Sequence, residues 1–501
     1  MKRLDSTSLN SLPRSVIRPG YDRSAVTPGI VHLGVGAFHR AHQAVMVEDR
    51  LAAGETGWGI VAASLRAADT AEALNPQNGL YTLGVRDGSG TQLRVIGAIS
   101  EVIVATSARE RLLAAMTDPR VCIVSLTVTE KGYCHDPATG ALNETHPGII
   151  ADLANPHRPA TAPGLVVEAL ARRRAEGTEP FTVLCCDNLP SNGVTVRRVV
   201  SRFGALRDPE LGEFIAGEVA FPATMVDRIV PATTDEDRAM VAATLGVRDA
   251  WPVMSEPFTQ WVIEDRFPAG RPRFEDAGAE ITTDVAPYER MKLRLLNGTH
   301  STMAYLGQLA GLETIADTIS TPTFARFIRR LMDEEITPTV PGFSEDQLTR
   351  YKDALITRYA NPALRHRTAQ IAMDGSQKLP QRLIGTMRDQ LAAGRSIALL
   401  GLAVAGFIRF MTGTGERGSA LPINDPMAAT FSKAVAEAGA AGITRLPGDQ
   451  AEALAERLAG SVLTITDVFG ETGRDSRVRS AVTKPLARLF SEGALATVTT
   501  A

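Results

Sequence analysis

One predicted helix carries the side chains best suited to chemistry. Residues Tyr288–Gly311 have helical periodicity, and an α-helix places Asn297 and His300 within about 140° of Lys292 around its axis. Glu289 lies about one turn before Lys292 on the same side. Oxidising a secondary alcohol requires a base for the hydroxyl proton and donors for the developing alkoxide. A partly desolvated lysine with amide neighbours provides both without a metal, although the same residues could simply form a solvated helix face.

A second polar segment, CCDNLPSNG at Cys185–Gly193, comes directly after a predicted strand. Residues beyond the carboxyl ends of parallel strands line the ligand crevice, which makes Asn188 a candidate to hold a substrate oxygen. A plain turn is the alternative, because Asp-Asn and Asn-Gly pairs favour turns. Asp227 lies in an apolar segment, so it either pairs with a cation such as Arg228 or orients a site residue.

A glycine turn follows the first predicted strand, in GIVHLGVGAFHRAHQA at Gly29–Ala44. It has the first two glycines of a dinucleotide fingerprint, but His39 occupies the third position. Such a turn lets backbone N–H groups approach a pyrophosphate at a helix start, whereas a glycine turn with a purely steric purpose binds nothing. The predicted cofactor-binding residues of the turn are Gly34, Val35, Gly36, Ala37, Phe38 and His39.

Two charged residues after the second predicted strand bear on the choice of cofactor. An acidic side chain about 20 residues beyond the fingerprint binds the ribose 2′-hydroxyl of NAD, and Asp69 lies slightly late for this role. Arg66 is closer to the strand end, where it would favour a 2′-phosphate. The sequence therefore predicts NAD, with NADP as the less favoured alternative.

The elements that position these residues alternate through the first half of the chain. Ile30–Leu33 and Gly59–Leu65 are predicted strands on either side of a helix at Ala41–Ala53, and Val121–Thr129 and Phe181–Cys186 are further predicted strands. This alternation predicts an α/β fold with a doubly wound, mostly parallel sheet covered by helices on both faces.

The pattern becomes helical from about Pro287. Predicted helices include Thr323–Glu335, Ser344–Tyr359 and Ser396–Met411. We therefore predict a loosely structured lead-in over residues 1–27, a dinucleotide-binding domain over residues 28–285, and a mostly α-helical C-terminal domain over residues 286–501 for substrate binding and catalysis.

The composition limits the classes of partner that the protein is expected to bind. The net charge of −3 offers no broad attraction for nucleic acid, and no apolar segment follows the first basic residues as a secretory leader would. The longest apolar run, Ile397–Phe410, is too short to span a bilayer. The four cysteines form neither a C-x-x-C pair nor a disulfide framework, which predicts a reducing compartment and no structural zinc. We expect a cytoplasmic protein without nucleic-acid or membrane partners, either a monomer or a weak homo-oligomer.

At these residues the chain resembles the mannitol dehydrogenase family, the polyol-specific long-chain dehydrogenases. The resemblance depends on seven motifs that occur in order: GVGAFHRAH (Gly34–His42), SLTVTEKGYC (Ser125–Cys134), CDNLPSNG (Cys186–Gly193), FPATMVDRIVP (Phe221–Pro231), EPFTQWVIED (Glu256–Asp265), MKLRLLNGTH (Met291–His300) and DGSQKLPQR (Asp374–Arg382).

The resemblance implies a Rossmann-type N-terminal domain and zinc-independent hydride transfer between NAD and a secondary alcohol carbon. It implies the following roles: Lys292 as general acid/base, Asn188 and Asn297 as oxyanion-binding amides, His300 as a substrate-positioning residue, Glu289 as a proton relay, Asp69 as the ribose-binding acid and Lys378 as a substrate contact. Asp227 is assigned to the cofactor-binding set.

Within the family, Lys131 and the run Asn361–Arg382 are more similar to fructuronate reductases, also called mannonate oxidoreductases, than to mannitol 2-dehydrogenases. A uronate carries a carboxylate that a neutral hexitol lacks, and arginine binds carboxylate bidentately. Arg365, Arg367 and Lys378 are the candidate carboxylate-binding residues, although Arg365 and Arg367 could be ordinary surface charges.

Two positions depart from the family pattern. Gln370 occupies the place of an arginine in the mannitol enzymes, so it bears on substrate choice, and Ala369 occupies the place of a tryptophan in fructuronate reductases. The resulting prediction is D-mannonate + NAD = D-fructuronate + NADH, with D-mannitol and D-fructose as the alternative pair. A catalytically silent NAD-binding sensor and a zinc-dependent alcohol dehydrogenase are hypotheses of other classes.

Overall fold

The computed structural model describes residues 1–136 and 139–501. These residues form two compact units, Met1–Ala286 and Pro287–Ala501. Each unit is treated below by itself.

The first unit contains the strands of the described chain. Their bounds are β1 (Pro28–Leu33), β2 (Gly59–Ser64), β3 (Tyr81–Asp87), β4 (Gly90–Ile96), β5 (Ile99–Val104), β6 (Ile123–Leu126), β7 (Thr182–Cys185), β8 (Thr224–Asp227), β9 (Val253–Ser255), β10 (Gln260–Glu264) and β11 (Glu280–Thr282). The helices of this unit are α1 (Ala37–Ala41), α2 (Gln43–Ala52), α3 (Asp69–Leu74), α4 (Ala105–Thr117), α5 (Pro147–Ala154), α6 (Ala162–Glu176), α7 (Asn192–Arg207), α8 (Pro209–Glu218) and α9 (Asp235–Leu245).

The main sheet is five-stranded and has the order β5-β2-β1-β6-β7, with every neighbouring pair parallel. Successive β1 residues face opposite sides, as strand geometry requires. Ile30 packs in one core cluster with residues of α2 and α3, whereas Val31 packs in another with residues of α4, α6 and α7. Helices therefore cover both faces, and the predicted doubly wound, mostly parallel sheet is confirmed.

Two smaller sheets complete the first unit, with the orders β11-β10-β8 and β4-β3-β9. Residues 1–27 contain short 3₁₀ turns at Leu9–Ser11 and Arg23–Ala25. Leu4, Leu12 and Val16 in this lead-in are buried in an apolar cluster that includes residues of β4. Burial of these side chains fixes the N-terminal segment on the unit.

The second unit is helical. Its α-helices are α10 (Ala286–Met291), α11 (Thr299–Ala310), α12 (Ile315–Ser320), α13 (Pro322–Arg330), α14 (Glu345–Tyr359), α15 (Thr368–Ile371), α16 (Gly375–Leu379), α17 (Gly385–Ala392), α18 (Ala398–Phe410), α19 (Ala428–Glu437), α20 (Gly448–Val462), α21 (Thr466–Phe469), α22 (Ser476–Ser491) and α23 (Ala494–Thr499). Short π-helical segments occur at Lys292–Gly298, Leu331–Ile336 and Pro380–Ile384. The predicted helical C-terminal half is confirmed, and its apolar run at Ile397–Phe410 is the buried helix α18.

Candidate active site

The glycine turn between β1 and α1 requires glycine at one position and leaves open space at another. Gly34 has φ +97°, and a Cβ there would lie 2.2 Å from the carbonyl oxygen of Thr127. At Gly36, the nearest atom to an added Cβ would be the Gly34 oxygen at 3.9 Å. The first glycine is therefore required by the fold, whereas a side chain at the second would meet only open space.

His39 lies inside the unit, where it packs against the first strand. Its ring stacks on that of His32 in β1, with centroids 3.4 Å apart. Both ring nitrogens of His39 are buried without a hydrogen-bond partner among the described residues, and burial holds the pKa of His39 well below its usual value. The imidazole therefore fills space against β1. Val35 is also buried, whereas Gly36 is exposed and Ala37 and Phe38 are half-buried.

The candidate ribose-binding residues follow β2 at the surface. Asp69 is the first residue of α3 and is exposed, as is Arg66 in the preceding turn. Asp227 is the buried last residue of β8. Its neighbour Arg228 donates hydrogen bonds to the carbonyl oxygens of Ala41 and Glu256, so this arginine is held by backbone.

The loops after β6 and β7 are joined by one carboxylate. Asp187 Oδ2 accepts hydrogen bonds from the backbone N–H of Val128 at 2.8 Å and from the Tyr133 hydroxyl at 2.7 Å. Burial raises the pKa of Asp187 to about 6, against the lowering effect of these hydrogen bonds. Asn188, the next residue, is exposed, and so is Lys131 in the 3₁₀ turn at Glu130–Tyr133.

The lysine helix, which is the helical segment Ala286–Ala310 that carries Lys292, changes its hydrogen-bonding pattern at the catalytic candidates. After α10 the chain follows a π-helix from Lys292 to Gly298 and then continues as α11. The i→i+5 hydrogen bonds of a π-helix bring residues five apart towards one side, so Lys292 and Asn297 share a side more closely than α-helical geometry predicts. Lys292 is 8% exposed, and Asn297 and Glu289 are half-buried.

His300 is the centre of a buried polar cluster. Its ring lies 4.8 Å from that of Tyr359 and 5.1 Å from that of His366, centroid to centroid. His300 Nε2 and His366 Nδ1 are buried, and neither has a hydrogen-bond partner in residues 1–136 and 139–501. Tyr359 is fixed by its hydroxyl, which donates to the Leu296 carbonyl at 3.0 Å.

Three cations surround this histidine. Burial holds the pKa of His300 well below its usual value, and His366, Arg358, Arg382 and Lys378 lower it further. Arg358 is buried on α14. Arg382 donates to Ser301 Oγ at 3.1 Å, and the Lys378 ammonium donates to the carbonyl oxygens of Ile371 and Met373. The cluster is therefore cationic and rich in donors.

The other candidate carboxylate-binding residues lie in a different environment. Arg365, Arg367 and Gln370 are exposed, and Arg367 lies 3.7 Å from the carboxylate of Glu313. Arg365 occupies the left-handed region at φ +45°. Arg367 therefore has an ion-pair partner at the surface. Arg358, which was not a candidate, is the arginine that is buried.

Sequence reasoning did not single out several residues that the structure places in these clusters: Tyr133, Asp187, Arg358, Tyr359, His366 and Arg382. Three of them, Tyr133, Asp187 and Arg382, lie within motifs used to recognise the family, and His366 lies in the run Asn361–Arg382. Arg358 and Tyr359 close the predicted helix Ser344–Tyr359, and only the fold reveals that this helix end meets His300.

Neither a metal cluster nor a membrane span is found in the described chain. Residues 1–136 and 139–501 contain no group of three or more His, Cys, Asp or Glu side chains placed to hold a metal ion. Over the same ranges no helix has the length and apolarity to cross a membrane.

The parallel sheet and glycine turn of the first unit define a dinucleotide-binding dehydrogenase domain. Residues 28–276 match the mannitol dehydrogenase Rossmann domain, and residues 284–488 match the mannitol dehydrogenase C-terminal domain. The chain belongs to the mannitol dehydrogenase family, and it is an oxidoreductase acting on CH–OH groups.

Similar proteins include two from Escherichia coli K12. The uncharacterized oxidoreductase YdfI is 45% identical over 98% of both chains, and D-mannonate oxidoreductase is 47% identical over 83% of this chain and 87% of that protein. A solved structure of Pseudomonas fluorescens mannitol 2-dehydrogenase, in a ternary complex with NAD and D-mannitol, is 35% identical. It covers 99% of each chain with a TM-score of 0.85.

Proposed function

We propose that this protein interconverts a secondary alcohol and a ketone on a sugar acid with NAD, and that D-mannonate and D-fructuronate are its substrate pair. The observation that carries the proposal is the cationic cluster around His300. A buried imidazole with an unsatisfied nitrogen, next to Arg358, Arg382 and Lys378, suits an anionic, hydrogen-bonding group. A neutral hexitol has no carboxylate to accept hydrogen bonds from such donors. The similarity to D-mannonate oxidoreductase supports the same choice.

The residues of the glycine turn fit a dinucleotide, because Gly36 leaves the space that a side chain would fill. The bound NAD would accept hydride from the alcohol carbon. We assign the 2′-hydroxyl of its ribose to Asp69, since this exposed carboxylate lies at the start of α3, shortly after the end of β2. The exposed guanidinium of Arg66 leaves NADP as the second cofactor to test.

The acid/base chemistry is assigned to the lysine helix. In the oxidative direction neutral Lys292 removes the hydroxyl proton, and the amides of Asn188 and Asn297 donate to the developing alkoxide. Glu289 passes the proton on to solvent. In the reductive direction protonated Lys292 returns the proton to the oxygen. Lys292 is largely shielded from water, which favours transfer to the substrate over exchange with solvent.

A substrate panel tests this proposal. Purified protein is assayed for NADH formation with D-mannonate, D-mannitol and related polyols, each with NAD and with NADP, before and after chelation. We expect D-mannonate with NAD to give the highest kcat/KM, and activity to survive chelation. Preference for D-mannitol would establish the alternative substrate pair, and binding of NAD without any turnover would support a sensor.

Two matched variants test the carboxylate assignment. Lys378→Gln removes a cation near His300, and Arg367→Gln removes an exposed one. A lost charge-assisted hydrogen bond lowers kcat/KM for D-mannonate by about 10- to 100-fold in the first variant. The second variant should behave like the wild type. Equal effects of Lys378→Gln on charged and neutral substrates would contradict carboxylate recognition by this cluster.

A further inference from the structure

The carboxylate of Asp187 connects loops that leave two neighbouring strands. β6 and β7 are parallel, and Leu126 pairs with Cys185 at their carboxyl ends. The next residues of each strand therefore run side by side. Asp187 reaches across this gap and accepts hydrogen bonds from Val128 N–H and the Tyr133 hydroxyl on one oxygen.

The loop that Asp187 holds is also fixed to the glycine turn. Thr127 Oγ1 donates to the Gly34 carbonyl at 2.7 Å. Thr129 has φ +64° and ψ 161°, a backbone conformation that a β-branched residue adopts only when its surroundings enforce it. Asp187 thus stabilises a loop that contacts the cofactor turn at one end and carries Tyr133 at the other.

The groups that face Asp187 are acidic or neutral. Tyr133 is fully buried, and its hydroxyl also lies 3.1 Å from Cys185 Sγ. Burial, together with the nearby Cys185 and Asp187, raises the pKa of Tyr133 well above its usual value, and burial raises that of Cys185 to about 12. Both therefore stay protonated at neutral pH. Glu130 adds a nearby negative charge that raises the pKa of Asp187.

We propose that ionised Asp187 is a positioning residue, which fixes the backbone from which Asn188 projects, and that its protonation loosens this backbone and slows turnover. A carboxylate receives stronger hydrogen bonds than a neutral carboxylic acid. Protonation therefore weakens the connections to Val128 and Tyr133 together. The inference rests on the proposed role of Asn188 as an oxyanion-binding amide.

The reductive direction isolates this effect. Protonated Lys292 is the competent form for ketone reduction, so loss of rate on acidification cannot come from Lys292. We expect kcat for D-fructuronate reduction to fall below about pH 6 in the wild type, because burial raises the pKa of Asp187 to about 6. The KM for NADH should change less than kcat over this range.

Three variants test the assignment. Asp187→Asn keeps the shape but does not titrate, so the acid limb should disappear while kcat at pH 7.5 falls about 3- to 10-fold. Tyr133→Phe removes a hydrogen bond that lowers the pKa of Asp187, so the acid limb should move about one pH unit upward. Asp118→Asn removes a half-buried carboxylate that pairs with Arg120, and its pH profile should match the wild type.

A stability measurement separates positioning from folding. The raised pKa of Asp187 means that its ionised form is disfavoured in the folded state. The protonated carboxyl therefore favours the folded state at low pH, and this contribution to the free energy of unfolding is lost as pH rises through about 6. Asp187→Asn should therefore melt no lower than the wild type at pH 7.5 while turning over more slowly.

The possible outcomes are distinct. An acid limb that persists unchanged in Asp187→Asn overturns the role of Asp187, even though the enzyme works. A large drop in the melting temperature together with kcat overturns it also, because the residue would then be only structural. Absence of turnover by the wild type with every sugar acid and polyol refutes the proposed function, and the inference with it.

Discussion

The two glycines of the cofactor turn should respond in opposite ways to the same substitution. Gly34→Ala introduces a Cβ at φ +97°, 2.2 Å from the Thr127 oxygen. The left-handed conformation costs an alanine about 1 kcal/mol, and relieving the overlap costs about 1 to 3 kcal/mol more. In a unit of this size about 2 to 4 kcal/mol corresponds to a melting temperature about 3 to 7 °C lower.

Gly36→Ala should leave stability unchanged and weaken cofactor binding. Gly36 has φ −78°, and its added Cβ would meet no atom closer than 3.9 Å. The melting temperature should therefore stay within about 2 °C of the wild type. The same methyl group would occupy the space in which the pyrophosphate approaches the backbone, and we expect NADH affinity to fall at least about tenfold, or 1.4 kcal/mol.

Scanning calorimetry and NADH fluorescence titration measure the two quantities separately. Gly57→Ala is the matched control, since Gly57 is exposed, has no positive φ and has no atom within 4 Å of an added Cβ. It should change neither stability nor affinity. Unchanged NADH affinity in Gly36→Ala would refute the reasoning, because the pyrophosphate would then have to bind elsewhere.

Four further substitutions test the assigned roles. Lys292→Ala should lower kcat at least about 100-fold at unchanged NADH affinity, as expected for a lost acid/base, and near-normal turnover in steady-state assays would exclude this role. Asn297→Ala should reduce kcat more than NAD affinity, since its donor acts on oxygen charge in the transition state, and an effect on affinity alone would contradict the assignment. Asp69→Ala should raise the KM for NAD more than that for NADP, whereas Arg66→Ala should raise the KM for NADP. The ratio of kcat/KM for NAD to kcat/KM for NADP, measured in each variant, shows which residue sets the cofactor preference.

Strand and turn chemistry made the first unit predictable. β1 and β2 lie within one or two residues of their expected bounds, because their apolar runs are flanked by a glycine turn and a helix end. The strand expected at Val121–Thr129 is shorter, Ile123–Leu126, because Thr127 and Val128 turn away to contact Gly34 and Asp187. Thr127 and Gly34 are 93 positions apart, and Val128 and Asp187 are 59 apart, so local pattern cannot reveal these contacts.

The candidate site was less predictable in the second unit. Periodicity identified Tyr288–Gly311 as helical, but not the π-helix at Lys292–Gly298, because a change of hydrogen-bond register leaves no clear compositional trace. The burial of the arginines was unpredictable for a related reason. Arg358 and Arg367 both lie on or beside helices, and only tertiary packing determines that the first is buried and the second exposed.

His39 gives the last prediction, because its environment explains how a histidine replaces the third glycine of the fingerprint. Its ring stacks on His32 and stays neutral, so it acts as a packing residue that joins α1 to β1. His39→Phe should preserve the stack and keep NADH affinity within about threefold of the wild type. His39→Gly would leave a cavity, and we expect it to destabilise the unit by about 2 to 4 kcal/mol.

The acid sensitivity of folding provides an independent check. The depressed pKa means that His39 binds a proton only in the unfolded state, so the stability it contributes is lost as pH falls below about 6.5. His39→Phe should therefore lose less stability than the wild type between pH 7 and pH 5.5 in calorimetric melts. An imidazole that contacts the cofactor would give a different result, with His39→Phe binding NADH as weakly as His39→Gly.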